Sequence, residues 1–429
     1  MSKDNKKKMP GLLSLSPIVV FLIVYLVSSL LAGDFYKVPV ASAFLIASVY
    51  AIAISPGELS YKINVFSQSA GHWNIMLMVW IFMLAGAFAG SAKEIGSVEA
   101  TVNFTLSIVP AKALLAGLFL TACFVSLSIG TSVGTIVALV PLANGIAAET
   151  GLSQAMMAAL IVGGSFFGDN LSFISDTTIA ATRAVGCAMK DKFRANLMLV
   201  LPAVLVVTGI YVYKGLSISA ASDTTPVEWL KLIPYVSIIV LALFGLDVTL
   251  VLVIGVLLNA LVGFGTGSFD WLGFLGAMGG GIAGMGDLII VTLLAGGMLG
   301  IIRDNGGLDY IIKGISRHVK GRRGAELGIG VLTGMANFCT ANNTIAIITV
   351  GSIVNDISER FRIPKRRAAS LMDIFSCFVQ GIIPYGAQLL MAAGLTGLAT
   401  TEIIPYLYYP FAAGICVVLS ILIPRRSKE

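Results

Sequence analysis

The stretch KGRRGAELGIGVLTGMANFCTANNTIAIITVGSIVNDISERFRIPKRR, residues 320–367, decides the topology. Its apolar part, 325–357, would measure about 50 Å as one straight helix at about 1.5 Å per residue, against a hydrocarbon core of about 30 Å. A small polar run, FCTANNT at 338–344, interrupts it halfway. Lys313, Arg317, Lys320, Arg322 and Arg323 precede it, and Arg360, Arg362, Lys365, Arg366 and Arg367 follow it. Lys and Arg clusters beside apolar segments mark the cytoplasmic side. Both ends therefore belong on one face, and 325–357 reads as a re-entrant helical hairpin. Polar backbone at membrane depth is tolerated only inside protein or a wet cavity, so the tip is expected near the midplane.

Working outward, 111–148 is also too long for one crossing and is interrupted by SLSIGTSVGT at 126–135. Its flanks are sparsely charged, and it reads as a hairpin opening to the other side. Apolar spans of membrane length are 13–32, 38–55, 73–92, 154–182, 195–213, 248–264, 286–303, 368–393 and 401–424, and 231–245, short but strongly apolar, is counted as the tenth. The fold class is then an all-α polytopic membrane protein with ten transmembrane helices and two re-entrant hairpins. The order span, span, short stretch (58–70, 268–284), span, hairpin, interrupted span, span occurs twice. Five spans per half turn the second copy upside down. This is the inverted-repeat plan of a secondary transporter, whose site lies where broken helices of the two halves meet. The expected organisation is a cytoplasmic tail 1–12, a first repeat 13–213, an external or periplasmic linker 214–230, a second repeat 231–424 and a cytoplasmic tail 425–429. The basic N-terminus, MSKDNKKKMP, precedes an apolar run without a cleavage pattern, so that run is taken as a retained first span.

Composition agrees. Of 429 residues, 57% are hydrophobic and 12% charged, with a mean hydropathy of +0.93. Soluble chains carry about 25% charged residues, so a soluble enzyme, a nucleic-acid binder and a disordered scaffold are excluded. The net charge of +6 comes largely from clusters at span ends, which orient a chain in a bilayer. The five cysteines lack CxxC spacing and read as small hydrophobes, and two histidines cannot anchor a metal site alone. No HExxH or Ser-His-Asp pattern supports a membrane enzyme.

The chemistry concentrates in GGSFFGDNLSFISDTTIAATRAVG, residues 163–186. Asp169 and Asp176 fall deep in an apolar span, where a carboxylate costs at least about 2.5 kcal/mol and persists facing a cavity or a cation. Gly163, Gly164 and Gly168 are expected to weaken the helix before Asp169. Asn170, Ser172, Ser175, Thr177 and Thr178 crowd the same turn, and hard cations such as Na⁺ take oxygen ligands from carboxylates, hydroxyls and freed carbonyls. The alternative is that the two acids cap half-helices and the hydroxyls bond neighbouring helices. The hairpin tips add Thr131 in the first half, and Asn342 and Asn343 in the second. The second interrupted span breaks at Gly381, Pro384 and Gly386 and offers Gln380, Tyr385 and Gln388, so the first half is expected to supply acid and the second amide. Asp373 is placed near the cytoplasmic loop, as a charge at a helix N-terminus or as part of the pathway.

FFGDNLSFISDTT resembles the diagnostic run of the NhaC family of Na⁺/H⁺ antiporters, usually FGDKxSPxSDTT. The matching positions are Phe167, Gly168, Asp169, Ser172, Ser175, Asp176, Thr177 and Thr178. Asn170 stands where the family usually has Lys, and Phe173 where it has Pro. The resemblance implies Na⁺/H⁺ exchange, an inverted-repeat fold with hairpins, a homodimer and a bacterial cell (inner) membrane location with both termini cytoplasmic. No cofactor is implied; Na⁺ and H⁺ are the transported or coupling ions, with Asp169 and Asp176 as the metal ligands. Two acids at one site hold protons or Na⁺ but not both, and competition suffices for antiport. Because the family also includes malate/lactate exchangers, a small organic anion or amino acid is the alternative cargo. Arg183 is the one basic group near the motif that could meet its carboxylate, unless it only marks a helix end. The remaining partner expected is the lipid bilayer, and nucleic acid is not.

Overall fold

The computed structural model describes residues 11–32, 39–173, 175–218, 227–318 and 320–423. The basic residues of both tails and the middle of the linker, 219–226, lie outside the described residues. The first half holds α1 (Ser16–Ala32), α2 (Val40–Ile54), α3 (Leu59–Ala70), α4 (Trp73–Glu94), α5 (Ser97–Ile108), α6 (Leu114–Ile129), α7 (Ser132–Thr150), α8 (Gln154–Leu171), α9 (Asp176–Val185) and α10 (Met189–Gly215). The second holds α11 (Trp229–Leu243), α12 (Val248–Thr266), α13 (Trp271–Gly284), α14 (Gly286–Asp304), α15 (Gly307–His318), α16 (Gly321–Thr340), α17 (Asn343–Arg360), α18 (Lys365–Ile382), α19 (Ala387–Thr396), α20 (Thr400–Ile403) and α21 (Tyr408–Leu422). Among the described residues every regular element is helical.

Some of the helices start where a side chain satisfies one of their first amides. Ser153 accepts from Met156 N at 3.3 Å to open α8, Asp247 from Thr249 N at 2.8 Å to open α12, and Asp270 from Gly273 N at 2.7 Å to open α13. Eight helical segments are long and apolar enough to cross a membrane, or nine if the bent pair Thr400–Tyr406 and Tyr408–Leu422 is one span, among the described residues. They include both α6 with the turn before it (Ala111–Ile129) and α7, and α13 with α14 runs as one unit, Trp271–Asp304. The first two expected spans and the one at 231–245 are shorter apolar helices.

Element boundaries return at a constant displacement. α8 and α9 (154–171, 176–185) reappear as α18 and α19 (365–382, 387–396), so 154 goes to 365 and 176 to 387, a shift of 211 residues. The same shift carries the start of α7, Ser132, onto that of α17, Asn343, and brings α5 within one residue of α15. In each half, an equivalent polar bond docks the first arm of the interrupted segment on the first half of the broken helix. Ser126 Oγ on α6 donates to the Ser165 carbonyl of α8; 211 residues on, Asn337 Nδ2 on α16 donates to the Ser376 carbonyl of α18 at 2.7 Å.

The glycines of α8 have a role other than the expected weakening, for α8 is an unbroken helix through Gly163, Gly164 and Gly168. A methyl at Gly164 would press on the Ala122 side chain and the Phe119 carbonyl, and one at Gly168 on Ser126. They bring α6 and α8 into backbone contact, which is how small residues act between membrane helices.

Candidate functional site

The break between α8 and α9 covers Ser172–Ser175, whose two ends have extended backbone. Asp169 lies in the last turn of α8 and is 4% exposed. Its carboxylate accepts the Ser132 backbone N–H at 3.1 Å, so it faces the N-terminus of α7, the positive end of a helix. Its carbonyl accepts from Ser175 Oγ at 3.2 Å and Thr177 Oγ1 at 2.9 Å. Those hydroxyls satisfy the carbonyl end of α8, which the break would otherwise leave unpaired. Asp176, the first residue of α9, is exposed.

Both interrupted segments turn in two residues. α6 ends on Gly130 (φ 76) with Thr131 extended, and α16 ends on Ala341 (φ 50) with Asn342 extended. Asn342 caps α17 by accepting from Ile345 N at 2.9 Å. The two turns meet at one cavity of about 190 Å³, lined by Thr131, Asp169, Ser175, Asp176, Thr177, Asn342, Asn343 and Gln380 among others. Of the polar residues singled out around the two breaks, Asn170, Ser172, Thr178 and Tyr385 do not line it. Asn170 turns away and donates to the Tyr409 hydroxyl at 3.0 Å, while Ser172 is buried at the break.

Gln380 and Gln388 hold the turns in register. Gln380 Nε2 donates to the Ala341 carbonyl at 3.2 Å and to Gln388 Oε1 at 3.0 Å. Gln388 Nε2 then donates to Ser132 Oγ at 2.8 Å. A continuous polar path thus runs from the second turn through α18 and α19 to the first turn and on to Asp169. By the 211-residue shift, Gln380 is the counterpart of Asp169, and Gln388 of Thr177.

Two expectations are corrected behind the break. Asp373 is fully buried in α18, at 0% exposure, and not near a loop. Arg183 is not the basic group at the motif: Lys192, on α10 and also 0% exposed, pairs with Asp373 at 2.9 Å. The Lys192 ammonium also donates to the Asn170 carbonyl at 2.8 Å and to Thr178 Oγ1 at 2.6 Å, which uses all three of its N–H groups. Asn196 Nδ2 supports both partners, donating to the Asn170 carbonyl and to Asp373 Oδ2 at 2.6 and 2.7 Å. The second half therefore supplies an acid as well as amides. In sequence, Lys192 reads as one of a basic cluster at a span start. The signal that marks it is the stripe Lys192, Asn196, Leu199, Val200 and Ala203, a single buried face of α10 at helical spacing.

Chemically, the cavity presents two carboxylates, hydroxyls and side-chain amides around a few water volumes, oxygen donors of the kind a hard cation takes. A second cavity of about 140 Å³ shares Asn74, Met78, Ala341 and Asn342 with the first, and its far wall carries His72 and Arg303.

A model of the Na⁺/H⁺ antiporter family matches residues 10–216 and 219–424. Over 438 residues the chain is 23% identical to the malate-2H(+)/Na(+)-lactate antiporter of Bacillus subtilis, covering 93% of this chain and 92% of that protein. Over 373 residues it is 22% identical to the Na(+)/H(+) antiporter NhaC of Alkalihalophilus pseudofirmus, covering 80% of each. Among solved structures, the Alcanivorax borkumensis YdaH transporter is similar at a TM-score of 0.41 and 16% identity, over 83% of this chain and 88% of that one.

Proposed function

The chain belongs to the Na⁺/H⁺ antiporter family, a family of secondary transporters and not of enzymes, and on that premise we propose that it exchanges Na⁺ for H⁺ across a bacterial inner membrane. It is a multi-pass membrane protein. The observation that carries the proposal is the buried Asp169 carboxylate, held at the N-terminus of α7 and open to a cavity bounded by both hairpin turns. A proton and Na⁺ compete for that carboxylate, with Thr131, Thr177, Asn342, Asn343 and Gln380 completing the oxygen shell. Asp176 forms the rim: it lines this cavity and also the cleft between α9 and α17, and passes ions between them.

The 211-residue displacement supports two repeats, 13–213 and 231–424, joined by 214–230. We place them in opposite orientations, with ten spans, two re-entrant hairpins, both termini cytoplasmic, and two copies forming a dimer. Alternating access follows when the broken helices and hairpins move against the remaining spans. The test is Na⁺-driven proton flux in proteoliposomes. Wild-type protein carries it and Asp169→Asn does not; flux that survives the substitution removes Asp169 from the exchange site.

A second reading keeps the fold and adds an organic anion. It is favoured by the second cavity, where among the described residues no hydrogen bond or ion pair of the Arg303 guanidinium competes with an incoming carboxylate. The B. subtilis relative named for malate and lactate fits it. Uptake of labelled malate or lactate separates the readings, since a pure cation exchanger takes up neither.

A further inference from the structure

The Lys192–Asp373 pair contributes little reason for its own presence if packing is all that is asked of it. Removing two charges from water costs several kcal/mol per ion, and replacing a buried pair by apolar residues of similar volume is often neutral or stabilising. The same chain contains the apolar solution. The 211-residue shift carries Lys192 onto Ile403 and takes Asp373 back to Val162, and both counterparts are 0% exposed. Each half thus contributes one charged and one apolar residue: the positions behind the acid-bearing break pair Lys192 of the first half with Asp373 of the second, whereas their counterparts, Val162 and Ile403, carry no charge.

The pair's position tells what the charge acts on. Asn170 is in the last turn of α8 and Thr178 near the start of α9, so the Lys192 ammonium bridges both half-helices across the break. Asp169, on the same turn as Asn170, turns its carboxylate to the other side, toward Ser132 and the cavity. The carbonyl end of a helix attracts cations. Lys192 fills that attraction with a tethered charge, and Asp373 balances it, so the pair adds no net charge beside Asp169.

We propose that Lys192 and Asp373 are positioning residues that set the cation affinity of the Asp169 site: the ammonium blocks the rear of the break, and the paired carboxylate cancels its field. The inference rests on the reading of Asp169 as the exchange site. Opposite signs follow for the two single changes. Asp373→Asn leaves the ammonium uncompensated and raises the KM for Na⁺ about tenfold, the effect of one nearby charge at intermediate dielectric. Lys192→Gln leaves the carboxylate uncompensated and lowers both KM and kcat, because Na⁺ is retained behind the break. The double change to the counterparts, Lys192→Ile with Asp373→Val, removes both charges; it folds with a melting temperature close to wild type and gives a KM between those of the single variants.

The experiment is Na⁺-dependent proton flux in proteoliposomes, with KM and kcat measured for all four proteins and melting temperatures measured in detergent. Opposed KM shifts in the two single variants sustain the inference. Single variants whose KM values move in the same direction overturn it, as does a folded double variant whose KM lies outside the range set by the two. Should a single variant fail to fold, the double variant carries the test alone: with the rear of the break unblocked, Na⁺ is retained there and kcat falls below one-third of wild type, and a kcat at or above that level overturns the proposal. Absence of Na⁺-driven flux in wild type would refute the reading of Asp169 instead, and is thereby distinguished.

Discussion

Gln388, on α19 in the second half of the chain, donates to the Ser132 hydroxyl at the start of α7, 2.8 Å away, and the Ser132 amide donates to Asp169. The acid of one half is therefore held in place through an amide of the other. Residues 256 positions apart share one bond beside the cavity at which the two turns meet.

Cutting this link is expected to cost both stability and rate. Gln388→Leu leaves Ser132 Oγ and the Gln380 amide short of a partner in a buried setting, at about 1–3 kcal/mol for each unsatisfied group. The melting temperature falls, and kcat for Na⁺/H⁺ exchange falls at least tenfold because Ser132 no longer holds α7 against Asp169. A variant with wild-type kcat would show that the glutamine bridge has no part in transport.

Asp176 and Asp169 are expected to behave differently, because one is exposed at the rim and the other buried at the base of the cavity. Asp176→Asn raises the KM for Na⁺ several-fold and retains exchange at saturating Na⁺. Kinetics in proteoliposomes over a Na⁺ series check this; complete loss of exchange at every concentration would place Asp176 in the inner shell.

The two turns differ by one residue at equivalent positions, and reciprocal substitutions test them. Gly130 (φ 76) and Ala341 (φ 50) both occupy the left-handed region, where a Cβ costs roughly 1–2 kcal/mol. Gly130→Ala is expected to destabilise by about that amount and Ala341→Gly to stabilise by about 1 kcal/mol, less the entropy that glycine returns to the unfolded chain. Thermal unfolding in detergent reads the sign of each.

Glycines of similar appearance are expected to divide by what surrounds them. Gly168→Ala forces α6 and α8 apart at Ser126, so expression as a monodisperse protein should fall sharply. Gly279→Ala on α13 meets no atom within 4 Å and should be neutral or stabilising by about 0.5–1 kcal/mol. The comparison by size-exclusion chromatography fails if the two variants behave alike.

The interrupted segments were readable because their cause is local. A polar run within an overlong apolar segment, as at 126–135 and 338–344, leaves backbone groups that must turn inward, and the turns fall at Gly130–Thr131 and Ala341–Asn342. The motif around Asp169 was readable for the same reason, since a carboxylate and five polar side chains in one turn are dear in lipid. The glycines of α8 were misread because composition alone does not distinguish a helix breaker from a close contact.

The interruption of the two overlong apolar segments and the presence of Asp169 in a polar break were thus determined by the sequence itself, through the cost of polar groups in hydrocarbon, which each segment meets on its own. Tertiary structure alone decided the partners: Lys192 with Asp373, Gln388 with Ser132, and Asp176 at the rim while Asp169 lies beneath. These pairs join helices far apart in the chain, and charge and hydrogen-bond energies depend on separations of a few ångströms, which packing sets and residue order does not.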